Sequence, residues 1–374
     1  MDWLFELISP QTVTGRAIVG VGALLIVLVL LIAVTAVVFG LKRSLAIWVL
    51  LIAGLVAALV FLPVSTDGLG PNPDPTATYE AAMARFDADK ASETTPLNPL
   101  CSPQLLGHGS RTDKVVVLIH GVSSCPQAFV DFAPLLFERG HNVLVMRLPQ
   151  NGFADRATDA LGDMTAEELA EFGDTSVDIA TGLGEEVVVL GISAGGTVAS
   201  WAAQNRADVD RAVLLAPFLG LSGFGTAFNK VLMRAMLLLP DFPIWKDPAL
   251  REDFVGMPHA YQLQSTRGTG EIMRLALAVF RQAMAGAPAA GSIAVVTNDA
   301  DTAVSNEVTD DLVAIWRDAG ADPTTYVFAA DHGLGHELID PLEPGADPAL
   351  TYPVIIDIIE GGDGTGSVVP LGDG

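Results

Sequence analysis

The run Glu186-Val187-Val188-Val189-Leu190 is followed at once by Gly191-Ile192-Ser193-Ala194-Gly195 and then by Gly196-Thr197-Val198-Ala199-Ser200-Trp201-Ala202-Ala203-Gln204. The first segment is β-branched and has no apolar–polar alternation. That pattern predicts a parallel strand covered on both faces. The last segment reads as a helix. Between them a Gly-x-Ser-x-Gly turn must reverse the chain within a few residues. A side chain at Gly191 or Gly195 would collide across such a turn, and the serine between them is held in a strained conformation with its hydroxyl lifted clear of the sheet. A strand, a sharp turn and a helix in this order require a layered α/β domain.

The rest of the chain keeps the same rhythm. Strands are predicted at Asn142–Met146, Arg211–Ala216, Ile293–Thr297 and Thr324–Phe328. Helical stretches at Pro126–Arg139, Thr165–Thr181, Asn306–Ala319 and Tyr352–Glu360 alternate with them. The expectation is a mostly parallel sheet with helices on both faces, in one domain over residues 101–360.

Upstream, Lys114-Val115-Val116-Val117-Leu118-Ile119 is another buried-strand run, ended by His120-Gly121. With the serine turn, this resembles the α/β-hydrolase superfamily, in its serine esterase, lipase and monoacylglycerol-lipase-like branch. The resemblance implies the α/β-hydrolase fold and assigns parts by position. Ser193 would be the nucleophile, and the backbone N–H groups of Val122 and Ala194 would form the oxyanion hole. The acid should follow the strand at 293–297, commonly as Asp-x-x-Val. That spacing selects Asp301, with Asp299 as the second candidate. The base should lie in the loop after the strand at 324–328. There Gly335-His336 before a helix start matches the family pattern, with His332 as the alternative. His120 is expected to be structural. Ser193, Asp301, His336 is the chain order of this fold. Such a triad needs no cofactor. His332 and His336 do not read as a metal pair, because Gly333 and Gly335 break the helix that would align them.

Residues 217–291 separate two strands by far more than an ordinary connection. They hold Phe218, Phe224, Phe228, Trp245, Phe254 and Tyr261 and the run Leu237-Leu238-Leu239. In the superfamily such an insertion is a cap over the site, and an apolar one suits an acyl chain or another apolar substrate group.

The first 64 residues differ in kind. Ile18–Phe39 and Leu45–Leu62 are long apolar runs without charge, each of bilayer-spanning length. Gly40-Leu41-Lys42-Arg43-Ser44 reads as a short basic turn between two spans. A cleaved signal peptide fits less well, since Asp2 and Glu6 precede the first run and Arg16 is the one basic residue there. Neither span carries Gly-x-x-x-Gly. Lys42 and Arg43 should stay cytoplasmic, which places the catalytic domain outside the cytoplasm. Residues 65–100 read as a Pro-, Asp-, Thr- and Ala-rich linker or strap with a short helix near Ala77–Ala88, and residues 361–374 as a disordered tail.

The formal net charge is −24, from 20 Lys and Arg against 44 Asp and Glu. Repulsion from phosphate argues against a nucleic-acid partner. The two cysteines, Cys101 and Cys125, flank the first catalytic-domain strand. In an oxidising compartment they can bridge; otherwise they are two free thiols. The sequence thus points to a membrane-anchored serine hydrolase of small-molecule or lipid carboxylic esters. An acyltransferase or thioesterase with the same triad and a non-catalytic scaffold stand as the rival readings.

Overall fold

A computed structural model describes residue 31 and residues 33–245 and 256–365. The chain divides into two units: Met1–Pro63 with Trp245–Phe254, and Val64–Ile244 with Val255–Gly374.

In the first unit residues 33–39 are helical, Gly40 interrupts at φ 79°, and Leu41–Phe61 (α1) follows. Glycine takes that left-handed φ without the clash a Cβ brings. The break is therefore one glycine, and Lys42 and Arg43 lie in the first turn of α1 instead of in a loop. Thr35 Oγ1 lies 2.5 Å from Ser44 Oγ and accepts from Trp48 Nε1 at 3.1 Å, across the break. α1 has 21 residues with largely exposed apolar side chains. At 1.5 Å per residue it spans ~30 Å, the hydrocarbon thickness of a bilayer. Among the described residues it is the one helix long and apolar enough to cross a membrane. Most of the predicted first span lies outside the described residues, so the pair of spans rests on the sequence reading.

The second unit is built on a seven-stranded sheet. Its strands are β1 (Gln104–Leu106), β2 (Thr112–Ile119), β3 (Asn142–Met146), β4 (Gly184–Ile192), β5 (Arg211–Leu215), β8 (Ser292–Asn298) and β9 (Thr324–Phe328). Two further short strands, β6 (Pro243–Trp245) and β7 (Leu263–Ser265), belong to the long excursion between β5 and β8. The sheet order is β1-β3-β2-β4-β5-β8-β9; β1 runs antiparallel to β3 and every other pair is parallel. β1 was not predicted, because three residues carry no readable period.

The continuous apolar strands are explained by coverage on both sides. Val115, Val117, Val187 and Val189 join one core with α4 (Ala166–Leu183), α5 (Ala194–Asn205), α7 (Thr266–Ala285) and α8 (Asn306–Asp318). Val116, Leu118, Val188 and Leu190 join the other with α3 (Phe132–Glu138) and α9 (Pro348–Ile359). α6 (Thr226–Leu238) lies in the excursion.

Residues 64–78 form a docked strap, followed by α2 (Tyr79–Ser92). Leu69 is fully buried and its carbonyl accepts from Trp201 Nε1 at 2.7 Å. The backbone N–H groups of Asn72 and Asp74 donate to Asp174 and Asp178 of α4. Arg206 clamps the same two carboxylates at 2.7 and 2.5 Å, so their buried charge is compensated. Of the predicted disordered tail, residues 366–374 lie outside the described residues. Gly362 and Gly364 are folded back, onto Arg211 and Asp357 respectively.

Candidate active site

Parallel strands present their carboxyl ends at one edge, and loops there are free to carry polar groups. Among the described residues four non-glycine residues have positive φ, and each follows a different strand at that edge. Ser123 (64°) follows β2, Gln150 (59°) β3, Ser193 (56°) β4 and Ala216 (37°) β5. Strain of this kind persists only where the surroundings over-determine it.

Ser193 is the sharpest case. It leaves the central strand with φ 56° and ψ −118°. Its N–H donates to Leu215 O and its carbonyl accepts from Phe218 and Thr197 N–H. A Cβ on Gly191 would lie 2.0 Å from Gly195 O, and one on Gly195 would lie 2.2 Å from Ile119 O. The glycines flanking the serine are therefore required by contact. Ala194 opens α5, whose N-terminal pole favours a developing negative charge.

The loop after β2 is pinned from several sides. His120 is buried; its Nε2 accepts from Leu148 N–H at 3.0 Å and its Nδ1 donates to Gly121 O at 2.7 Å. Burial pushes its pKa down to about 3, so the imidazole is neutral and structural. Ser123 N–H donates to Asn151 Oδ1, and Ser123 O accepts from Tyr261 N–H. Cys125 is bonded to Cys101, with Cα atoms 5.2 Å apart. Val122 sits between these fixed points.

Asp301 and His336 meet although 35 residues apart: Nδ1 of the imidazole lies 2.6 Å from Asp301 Oδ2. Asp301 Oδ1 accepts from Ala303 and Val304 N–H. Burial alone would raise the Asp301 pKa. The hydrogen bond and charge of His336 and the two amides outweigh it, and the pKa lies below the ordinary value. For His336 burial acts downward, but the Asp301 bond and the charges of Glu337, Asp301 and Glu343 raise it above the ordinary value. The two alternatives sit elsewhere. Asp299 is exposed and spends its N–H on Phe328 O, and His332 is exposed in a short turn ending at Gly333.

Three participants escaped the sequence reading. Asn298 is buried at the end of β8 and donates to the carbonyls of Leu334 and Gly335, which hold the His336 loop. A polar residue closing an apolar strand was the available signal. Asn151 holds the Ser123 loop the other way round, accepting from Ser123 N–H at 2.7 Å. Glu337 Oε1 fills the space a Cβ on Gly121 would take; a carboxylate beside a loop histidine gives no pattern to read.

A family model described as the Alpha/beta hydrolase family matches residues 116–346. Among solved structures, one of the metagenome-derived lipolytic enzymes LipS and LipT is 15% identical, with a TM-score of 0.52 over 71% of this chain and 99% of that one. The monoacylglycerol lipase of Paleococcus ferrophilus is 17% identical, with a TM-score of 0.51 over 69% of this chain and 96% of that one. At these identities the likeness is one of fold. No curated protein matches the sequence.

Proposed function

The chain belongs to the Alpha/beta hydrolase family, and from that premise we propose that it is a membrane-anchored serine hydrolase of carboxylic esters, of the esterase and lipase kind. The observation that carries the reading is the Asp301–His336 hydrogen bond at the same sheet edge as the strained Ser193. His336 takes the Ser193 proton as Oγ attacks the ester carbonyl, and Asp301 orients the imidazole and stabilises its cation. The oxyanion is received by the Val122 and Ala194 N–H groups. His336 then protonates the departing alcohol. An acyl group remains on Ser193, and water activated by the same imidazole releases it. The excursion over residues 217–291 is the cap in this reading. A small cavity lies between the excursion and α8, lined by Leu219, Met233, Met273, Leu277, Phe280 and Val308 together with Thr226, Asn229 and Lys230.

α1 supplies the membrane anchor, alone or with the preceding apolar run. The Cys101–Cys125 bond favours an oxidising compartment, and Lys42 and Arg43 favour a cytoplasmic α1 N-terminus. Both support a catalytic domain outside the cytoplasm. The test is an aryl-ester panel from short to long acyl chains on the full chain in detergent. Turnover by the wild type and not by Ser193→Ala supports the reading; equal turnover by both rejects it. A reporter fused after Phe61 should behave as extracytoplasmic, and cytoplasmic behaviour would reverse the orientation.

A further inference from the structure

The loop after β2 is a four-residue turn, Gly121 to Ser124, closed by Ser124 N–H donating to Gly121 O at 3.2 Å. Val122 and Ser123 are its central residues, and Ser123 holds φ 64°, a value at which β-turns favour glycine or asparagine. The direction of the Val122 N–H therefore depends on what grips the two ends of the turn. The N-terminal end follows β2 and is held by His120 Nδ1, which donates to Gly121 O. The C-terminal end runs into Cys125, whose side chain is bonded to Cys101. Cys101 belongs to the segment that enters the domain, and that segment is fixed from two sides. Asn98 N–H donates to Gly152 O at 2.9 Å, in the loop after β3, and Asn98 Nδ2 donates to Pro258 O at 3.0 Å, in the returning leg of the excursion. Cys101 N–H donates to Asn98 O at 2.8 Å. A Cβ on Gly152 would lie 2.8 Å from Cys101 Cβ and 3.4 Å from Cys125 Cβ, so the bridge packs on the loop after β3 as well. Both cysteines are fully buried.

We propose that the Cys101–Cys125 bridge is a positioning element of the oxyanion hole: it aims the Val122 N–H, and without it the folded chain is a poor hydrolase. The inference rests on the serine-hydrolase reading and deepens it.

A bridge that closes a loop also stabilises a fold, and a purely stabilising bridge leaves the rate per folded molecule unchanged. Here the bridge grips the same turn as the hydrogen bonds on Ser123, against the same two loops. Ser123 N–H is taken by Asn151 in the loop after β3, and Ser123 O by Tyr261 N–H in the returning leg. Without the bridge, those hydrogen bonds alone must hold a strained residue, and slack at Cys125 passes through Ser123 to the donor beside it. A donor misplaced by about 1 Å loses much of its hold on the transition state and little of its effect on substrate binding. The bond also dates the onset of activity. It forms by exchange with a small-molecule disulfide such as glutathione disulfide, and both protons and both electrons of the two thiols leave with two glutathione thiols. Burial then shields it from reductants, so the chain is switched on once, in an oxidising compartment.

The experiment uses the full-length protein in detergent, well below every melting midpoint. The wild type is compared with the double variant Cys101→Ala, Cys125→Ala and with Leu69→Ala, which loosens the buried strap away from the site and serves as a destabilised control. In the double variant kcat on 4-nitrophenyl butyrate should fall by about 10–100-fold per folded molecule with KM within about threefold, while Leu69→Ala keeps kcat within about twofold. A second readout is the rate ratio of 4-nitrophenyl butyrate to its thionoester, whose larger sulfur anion fits a well-aimed hole badly. That ratio should narrow by about tenfold in the double variant and hold in Leu69→Ala. Should the double variant fail to fold, the wild type is reduced with a water-soluble phosphine in urea below its unfolding transition. The phosphine takes an oxygen from water, and the two thiols formed are counted by iodoacetamide labelling. Activity should fall in proportion to the reduced fraction and return when glutathione disulfide restores the bond. An unchanged kcat or an unchanged ester ratio in folded protein without the bridge overturns the positioning role, as do two free thiols in the untreated wild type. An absence of Ser193-dependent turnover in the wild type overturns the hydrolase reading with it.

Discussion

Among the described residues two aspartate–histidine pairs lie in the catalytic domain, and their chemistry is the same. His336 and Asp301 meet at 2.6 Å, and His259 and Asp340 at 2.8 Å. What separates them is access. The His336 side chain keeps 18% of its surface exposed, whereas both side chains of the second pair are sealed, at 0 and 1%. His259 lies in the excursion and Asp340 four residues past His336, so the second pair ties the excursion to the loop of the proposed base. Hydrogen-bonding a histidine to a carboxylate makes a base only where the far ring nitrogen can reach a substrate. Buried, the same pair is a rivet.

The largest expected effect contrasts the two directly. Asp301→Asn should cut ester turnover by ~10⁴-fold through loss of the correct tautomer, with melting little changed. His259→Leu should leave turnover within about tenfold, because no reacting atom is touched. Steady-state rates on a short aryl ester check both; a collapse of turnover in His259→Leu alone would erase the distinction. Stability should invert the order. His259→Leu strands a buried carboxylate and is expected to cost about 3–5 kcal/mol in denaturant unfolding.

A smaller effect follows from pH. The folded pKa of Asp301 is lowered, so its contribution to stability is present above the ordinary 3.8 and is lost as pH falls through the folded value. The folded pKa of His336 is raised, so its contribution is present below the ordinary 6.5 and is lost as pH rises through the folded value. The stability gap between the wild type and Asp301→Asn should therefore be widest between those limits. At about 1 kcal/mol for a partly exposed pair, it should close on either side. Denaturation midpoints across pH 3–9 measure it, and a flat gap would mean the pair does not couple to folding.

The two pairs also divide what the sequence could reveal. The strand–Ser193–helix turn was legible because apolar strands, obligatory glycines and a helix start leave few alternatives. The mostly parallel sheet and its two-sided burial followed from the same runs. Asp301 and His336 were named by resemblance to a family pattern, with Asp299 and His332 left open by the residues alone. The His259–Asp340 pair was invisible, since its members are 81 residues apart and neither sits in a motif. The strap was half-read. Its Pro, Asp and Thr content gave a linker, but its partners, Asp174 and Asp178, look like solvated positions on α4 until the fold turns them inward against Arg206. Gly40 was read as part of a basic turn, because a single left-handed residue leaves no trace in the hydropathy of the flanking helices.

The central claim is that Ser193 carries the acyl group. Rapid acid quench of the full-length protein during turnover of a 4-nitrophenyl ester, followed by peptide mass mapping, tests it most directly. The account predicts the acyl mass on the peptide containing Ser193, and none in Ser193→Ala. An acyl adduct on any other residue, or turnover with no trapped adduct and an unaffected Ser193→Ala variant, would contradict it.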